Sequence, residues 1–166
     1  MARVKVDRPE EPPPPIIPLD RLKAMVKACE GKGFTERRDM ALLRTFLATG
    51  IRLGECAALT LDGLDLHARI LVVQRGNGGR RRVARFDAPT AAAIDRYKRV
   101  RARHRAAATP WLWLSTSSRS GRLGDSGIVA ALTRCAHIAG IAGFHIHLLR
   151  HTRADLWKSA GGSKKT

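Results

Sequence analysis

Residues 147–161, HLLRHTRADLWKSAG, carry the spacing on which the reading of this chain turns. Positions three and four apart share one face of an α-helix, so a helix from near His147 to Ala160, stopped by Gly161, aligns His147, Arg150 and His151. Well upstream, ATGIRLGECAALTL (48–61) sets Arg52 and Glu55 one helical turn apart, just after a glycine break. Guanidinium forks match phosphate oxygens and neutralise charge that builds on a five-coordinate phosphorus. An imidazole can exchange a proton with the attacking or leaving oxygen. Two arginines and a histidine are therefore a set suited to phosphoryl transfer, although each spacing alone is a weak signal.

Composition narrows the substrate. A chain of 166 residues, 44% hydrophobic, suffices for one domain with its own core. Its 31 Lys and Arg against 14 Asp and Glu leave a formal charge of +17, which attracts polyanions at distances where shape does not yet matter. The charge is concentrated, because between Arg69 and Arg122 the only acids are Asp87 and Asp95. Nucleic acid is the first partner expected. A membrane is not, since no basic stretch is paired with a bulky aromatic face and no run approaches transmembrane length. Cys29, Cys56 and Cys135 lack CxxC spacing and read as small core residues of a reduced compartment, neither a disulfide framework nor a zinc site. The segment MARVKVDRPEEPPPPIIPLD (1–20) has no signal-peptide core, so a cytoplasmic location is expected.

Periodicity and punctuation predict a mainly α fold with a small antiparallel β-hairpin. Residues 1–18, with the Pro12–Pro15 run, read as an extended leader, 19–161 as the folded domain and 162–166 as a tail. Leu19, Leu22, Val26 and Cys29 mark a first helix that ends at GKG (31–33). A second follows Thr35, burying Met40, Leu43, Phe46 and Leu47 and stopping at Gly50. RILVVQ (69–74) and RRRVARF (80–86) read as two strands about a glycine-rich turn, GNGG (76–79). Asp87 and Pro89 open a basic helix predicted to reach about Ala108. WLWLS (111–115) reads as a short buried strand, SSRSGRLGDSG (117–127) as a loop and Ile128–His137 as a helix. Trp157 is expected in the core, and Tyr97 as an amphipathic ring at a helix surface.

The order of these features resembles the catalytic domain of the tyrosine recombinases, the phage integrase family. TGIRLGE (49–55) is similar to that family's first arginine box and HLLRHTRADLWKSAG (147–161) to its second, with the hairpin, helices and WLWLS between them in the family's order. The resemblance spans about Leu19 to Gly161. It implies a domain that grips duplex DNA and presents Arg52, His147 and Arg150 to one scissile phosphate, with Glu55 orienting the first arginine. In the family a tyrosine attacks that phosphate to form a 3′-phosphotyrosyl link, without metal, cofactor or external energy source. Other recombinase protomers are then expected partners. The resemblance also sets Arg80, Arg81 and Arg82 against DNA phosphates.

Three departures qualify it. The hairpin position where the family has a lysine acting as general acid is Arg75, and a guanidinium does not readily release its proton. Gly63, in DGLD (62–65), stands where an acid is common, so a local brace is expected to be missing. The only tyrosine is Tyr97, ahead of the second box, so no nucleophile follows HLLRHT. The reading is of a recombinase truncated before its tyrosine, and without the N-terminal clamping domain, that binds DNA but cannot cleave it alone. Two alternatives stay open: an active recombinase whose tyrosine arrives in trans, and a basic structural nucleic-acid binder, such as a ribosome-associated protein, in which the boxes are accidental. No metal is expected at His145, His147 and His151, because Arg150 in their midst repels a cation.

Overall fold

In a computed structural model, which describes residues 12–74 and 79–162, proline geometry sets the first helix. Pro18, at φ −57° and ψ 147°, leads into α1 (Leu19–Ala28), with Asp20 in its first turn and Lys27 in its last, each complementing the helix dipole. The helix buries Leu22 and Met25. Leu19, expected inward, is 57% exposed, and Ile17 takes the core place instead. The Ile17 N–H donates to Thr152 Oγ1 at 2.9 Å, across 135 residues of chain.

Helix α2 (Phe34–Thr49) buries Ala41, Leu42, Leu43 and Phe46 and is the centre of the core. Met40 and Leu47 lie half-buried on its flank. It ends where the sequence placed its stop: Gly50 is left-handed, at φ 62°, and its N–H returns to the Phe46 carbonyl at 2.9 Å. The chain re-enters helix in α3 (Leu53–Ala57).

The hairpin forms as predicted and gains a strand. β1 (Leu64–Asp65) pairs antiparallel with β2 (Ile70–Val73), which pairs antiparallel with β3 (Arg82–Arg85), in register Ile70↔Arg85 through Val73↔Arg82. Leu71 and Val73 point into the core, as does Ala84. Gly63 has a structural reason. Its carbonyl accepts from Val72 N–H at 2.7 Å, and a Cβ there would lie 3.2 Å from the Val72 carbonyl oxygen. The turn beyond is braced by Asp65, whose Oδ1 accepts from Ala68 N–H at 2.8 Å.

Two expectations fail in the next stretch, for one reason. Asp87 caps α4 (Ala88–Arg101) through Thr90 N–H at 3.0 Å, but the helix stops at Arg101 rather than near Ala108. The Arg101 guanidinium, 3% exposed, donates to the carbonyls of Ala107, Thr109, Trp111 and Leu112, so the chain coils around it. Residues 111–115 are correspondingly not a strand. They are a buried irregular segment with two isolated bridges, Thr60↔Trp111 and Leu114↔Arg122.

Helix α5 (Asp125–Ile138) begins three residues before the predicted start, with extended Gly124 as N-cap and Asp125 in the first turn. Helix α6 (Ile146–Ser159) matches the prediction within a residue at each end, with Gly161 left-handed beyond it at φ 88°. α2 packs against α4, α5 and α6, while α5 also meets α1 and α3. Cys29, Cys56 and Cys135 are free and buried, and Cys29 donates its S–H to Cys135 Sγ at 2.8 Å where α1 meets α5. Among the described residues no helix is long and apolar enough to cross a membrane. The architecture is mainly α with one three-stranded antiparallel sheet.

Candidate functional site

The left-handed turn at Gly50 places Arg52. Thr49 Oγ1 accepts from Ile51 N–H at 3.2 Å, which fixes the turn, and Arg52 then sits exposed as the N-cap of α3 with extended backbone, φ −77° and ψ 153°. A guanidinium cannot accept a hydrogen bond, so the N-terminal amides of α3 need help from elsewhere. Glu55 provides it for the cap residue, its Oε2 accepting from Arg52 N–H at 3.1 Å. The same oxygen accepts from Arg82 Nη2 at 2.9 Å. Partial burial pushes the Glu55 carboxyl upward. The Arg82 hydrogen bond, the Arg52 amide and the two positive charges outweigh it and hold the group below its ordinary range.

The second box reaches the first through α2 and α6. A Cβ on Gly50 would lie 3.5 Å from Arg153 Cγ, so the turn that launches Arg52 runs against the helix that carries His147 and Arg150. α6 buries Ile146, Leu148, Leu149 and Thr152. His147 is exposed, and Arg150 and His151 are half-buried. The His145 and His147 rings lie 6.1 Å apart between centroids. His151 Nδ1 and Arg153 Nε are buried without a hydrogen-bond partner among the described residues.

The three arginines that lead into the hairpin's return strand, Arg82 being its first residue, do not act alike. Arg80 and Arg81 are exposed, Arg81 Nε reaching Gln74 Oε1 across the hairpin at 3.2 Å. Arg82, opposite Val73, turns to Glu55 instead of outward with its neighbours. Arg75 and the turn residues 76–78 lie outside the described residues.

Two aromatic expectations are corrected. Tyr97 is fully buried, not at a helix surface. Its hydroxyl donates to the Leu112 carbonyl at 2.8 Å and accepts from Leu114 N–H at 2.9 Å, and burial pushes its pKa up to about 12. A phenol so held is a structural pin for residues 112–114. Trp157, expected in the core, is 42% exposed beside Leu156, because α6 turns its other face toward α2.

Sequence reasoning missed the inward arginines. Besides Arg101, Arg38 is buried, bonding Asp39 Oδ1 and the Leu114 carbonyl at 3.0 Å each, and Asp39 also pairs with Arg134. Arg122 lies 3.8 Å over the Trp111 ring and donates to the Ala57 carbonyl. For Arg101 a signal was present, since Tyr97 and Arg101 are four apart on one face of α4 with Ala93 and Ile94. Among the described residues no cluster of three or more His, Cys, Asp or Glu is arranged to hold a metal ion.

The model of the phage integrase family matches residues 16–161. The tyrosine recombinase XerD of Mycobacterium tuberculosis (strain CDC 1551 / Oshkosh) is 32% identical over 169 residues, covering 93% of this chain and 53% of its own length. The crystal structure of XerA recombinase superposes with a TM-score of 0.81 at 26% identity, over 93% of this chain and 54% of that one. The pre-cleavage complex of XerH recombinase bound to difH substrate shares the fold, with a TM-score of 0.72 at 16% identity over 90% and 44% of the two chains. The chain spans about half the length of the curated relatives it matches.

Proposed function

The chain belongs to the phage integrase family, and from that premise we propose that it binds duplex DNA and presents Arg52, His147 and Arg150 to one backbone phosphate in DNA integration and recombination. The supporting observation is the joint between the boxes: Gly50 packs on Arg153 of α6, while Glu55 fixes the α3 turn that carries Arg52. Arg52 and Arg150 would fork the non-bridging oxygens, and His147 would share a proton with an entering or leaving oxygen. Arg75 would add positive charge from the hairpin, as a stabiliser rather than a proton donor. Arg80 and Arg81 would hold neighbouring phosphates and set the register of the duplex. The Tn1549 transposon integrase, which shares the fold at a TM-score of 0.69 and 18% identity, is seen in complex with circular intermediate DNA, which supports the same partner here. A cytoplasmic setting and contact with other recombinase protomers belong to the same proposal.

Covalent chemistry needs a nucleophile that these residues do not supply, because the single tyrosine is Tyr97, whose hydroxyl is spent on residues 112–114. We assign binding and charge stabilisation to this chain and the attacking tyrosine to a polypeptide segment outside these 166 residues. The test is a nicked suicide duplex incubated with the chain, with bound and covalently linked DNA scored separately. Binding without an adduct is expected from the chain alone. An adduct on Tyr97 would overturn the assignment. If Arg52→Ala and Arg150→Ala weaken binding no more than removal of Arg119 does, the boxes are accidental and the chain is a general basic binder.

A further inference from the structure

Arg82 is set apart from its neighbours by where its charge goes. It opens β3 at the foot of the hairpin, opposite Val73, and its Nη2 lies 2.9 Å from Glu55 Oε2, with the two side chains 34% and 12% exposed. That oxygen also receives the Arg52 N–H. One carboxylate oxygen thus bridges the hairpin and the turn that carries Arg52. α3 is five residues long, too short to be stable on its own, and takes its orientation from such outside contacts.

We propose that Arg82 is a positioning residue, which through the Glu55 carboxylate ties the foot of the β2–β3 hairpin to the N-terminus of α3, so that hairpin and Arg52 meet DNA as one rigid unit. The inference rests on the DNA-binding reading above and deepens it. It separates two roles within the run 80–82: Arg80 and Arg81 face outward, whereas Arg82 acts through Glu55. The sign of one effect is diagnostic. Removing the Glu55 charge from a DNA-facing surface should tighten binding if charge alone mattered, because a repulsion is lost. If Glu55 and Arg82 hold Arg52 in place, the same change weakens it.

The experiment measures the affinity of the whole chain for a fluorescently labelled duplex across a KCl series, under conditions where circular dichroism shows every variant folded. The variants are Arg81→Ala, Arg82→Ala, Arg82→Lys, Glu55→Ala and the double Arg82→Ala/Glu55→Ala. Arg81→Ala should reduce the salt slope by about one. Arg82→Ala and Glu55→Ala should each weaken binding by roughly threefold to tenfold with the slope unchanged, and the double should be no weaker than either single change. Arg82→Lys should recover most of the loss. If a single variant fails to fold, the exchanged pair Arg82→Glu with Glu55→Arg carries the test, and recovery of affinity is expected. A slope lowered by Arg82→Ala with Glu55→Ala neutral or tighter would overturn the inference, as would lost thermal stability with unchanged affinity. Failure of the unaltered chain to bind any duplex would instead sink the DNA-binding reading, and the positioning role with it.

Discussion

Arg101 and Arg52 bring the same guanidinium to opposite uses. Arg101 is 3% exposed and gives its protons to four backbone carbonyls between Ala107 and Leu112, with no carboxylate partner among the described residues. Arg52 is exposed, its backbone N–H is held by Glu55 and its carbonyl by Cys56 N–H, and its guanidinium has no hydrogen-bond partner among the described residues. Burying a charge is tolerated when its donors find acceptors, and the Arg101 fork satisfies four carbonyls that would otherwise need water. The lesson is that a formal charge of +17 is not a measure of DNA-facing surface. Arg38, Arg101 and Arg122 stitch the irregular segment 107–122 to the helices, and the charge left for a polyanion is carried by other residues.

The comparison breaks most readily at Arg101. Arg101→Ala should cost about 3 kcal/mol or more of folding stability, because several buried carbonyls lose their donor at once; the urea midpoint reports it. The DNA salt slope of whatever remains folded should not change. Tyr97→Phe, one turn earlier, removes a hydroxyl that both donates and accepts. It should cost about 1.5–2 kcal/mol by thermal unfolding, and a loss within experimental error would show that residues 112–114 need no pin. On the outward side, Arg52→Ala and Arg150→Ala should leave stability within about 0.5 kcal/mol while weakening duplex binding about tenfold each, as anisotropy titrations would read.

Acid titration sharpens the middle case. Glu55 is held below its ordinary value of 4.5, so its contribution to stability is complete above that pH and is lost as pH falls through the lower, folded value. A stability profile of the unaltered chain should dip more steeply below about pH 4.5 than that of Glu55→Ala, and parallel acid limbs would show the carboxylate unshifted. The smallest effect is expected at Trp157. At 42% exposure, Trp157→Ser should shift stability by less than about 1 kcal/mol, and a larger loss would return the ring to the core.

The boxes were legible because their signals are local. Gly50 ends α2 through a hydrogen bond four residues back, the hairpin strands pair across a short turn, and His147 to Gly161 is one uninterrupted helical period. The end of α4 was only half legible: Tyr97 and Arg101 share the face of Ala93 and Ile94, but DRYKRVR is so charged that the spacing alone does not turn an arginine inward. Its inward residues are polar ones, Tyr97 and Arg101, and their partners are carbonyls in a segment that has no periodicity of its own. WLWLS is apolar enough for a strand, but its backbone is satisfied by isolated bonds to Leu59, Gly121 and Leu123 and by the side chains of Arg38, Tyr97 and Arg101 rather than by a continuous ladder. β1 has two residues, too few for any alternation to show. Trp157 failed for the opposite reason: hydrophobicity places a ring in the core only if a neighbour lies opposite it, and no residue pattern says which face of α6 lacks one.

The bond from Ile17 to Thr152 has a consequence for how the molecule is made. A buried backbone donor near the start of the described residues closes on α6, 135 residues later. As the polypeptide leaves the ribosome at about 5–20 residues per second, that donor waits roughly 7 to 27 seconds for its acceptor to be synthesised. Helix α1 has the same problem with α5, which it meets through Cys29 and Cys135. The segment that carries Ile17 therefore docks only after α6 has been made. Closing so long a loop costs only slowly more entropy than closing a short one. The delay is thus one of timing rather than of stability, and it makes the arrival of α6 the condition for docking the Ile17 segment.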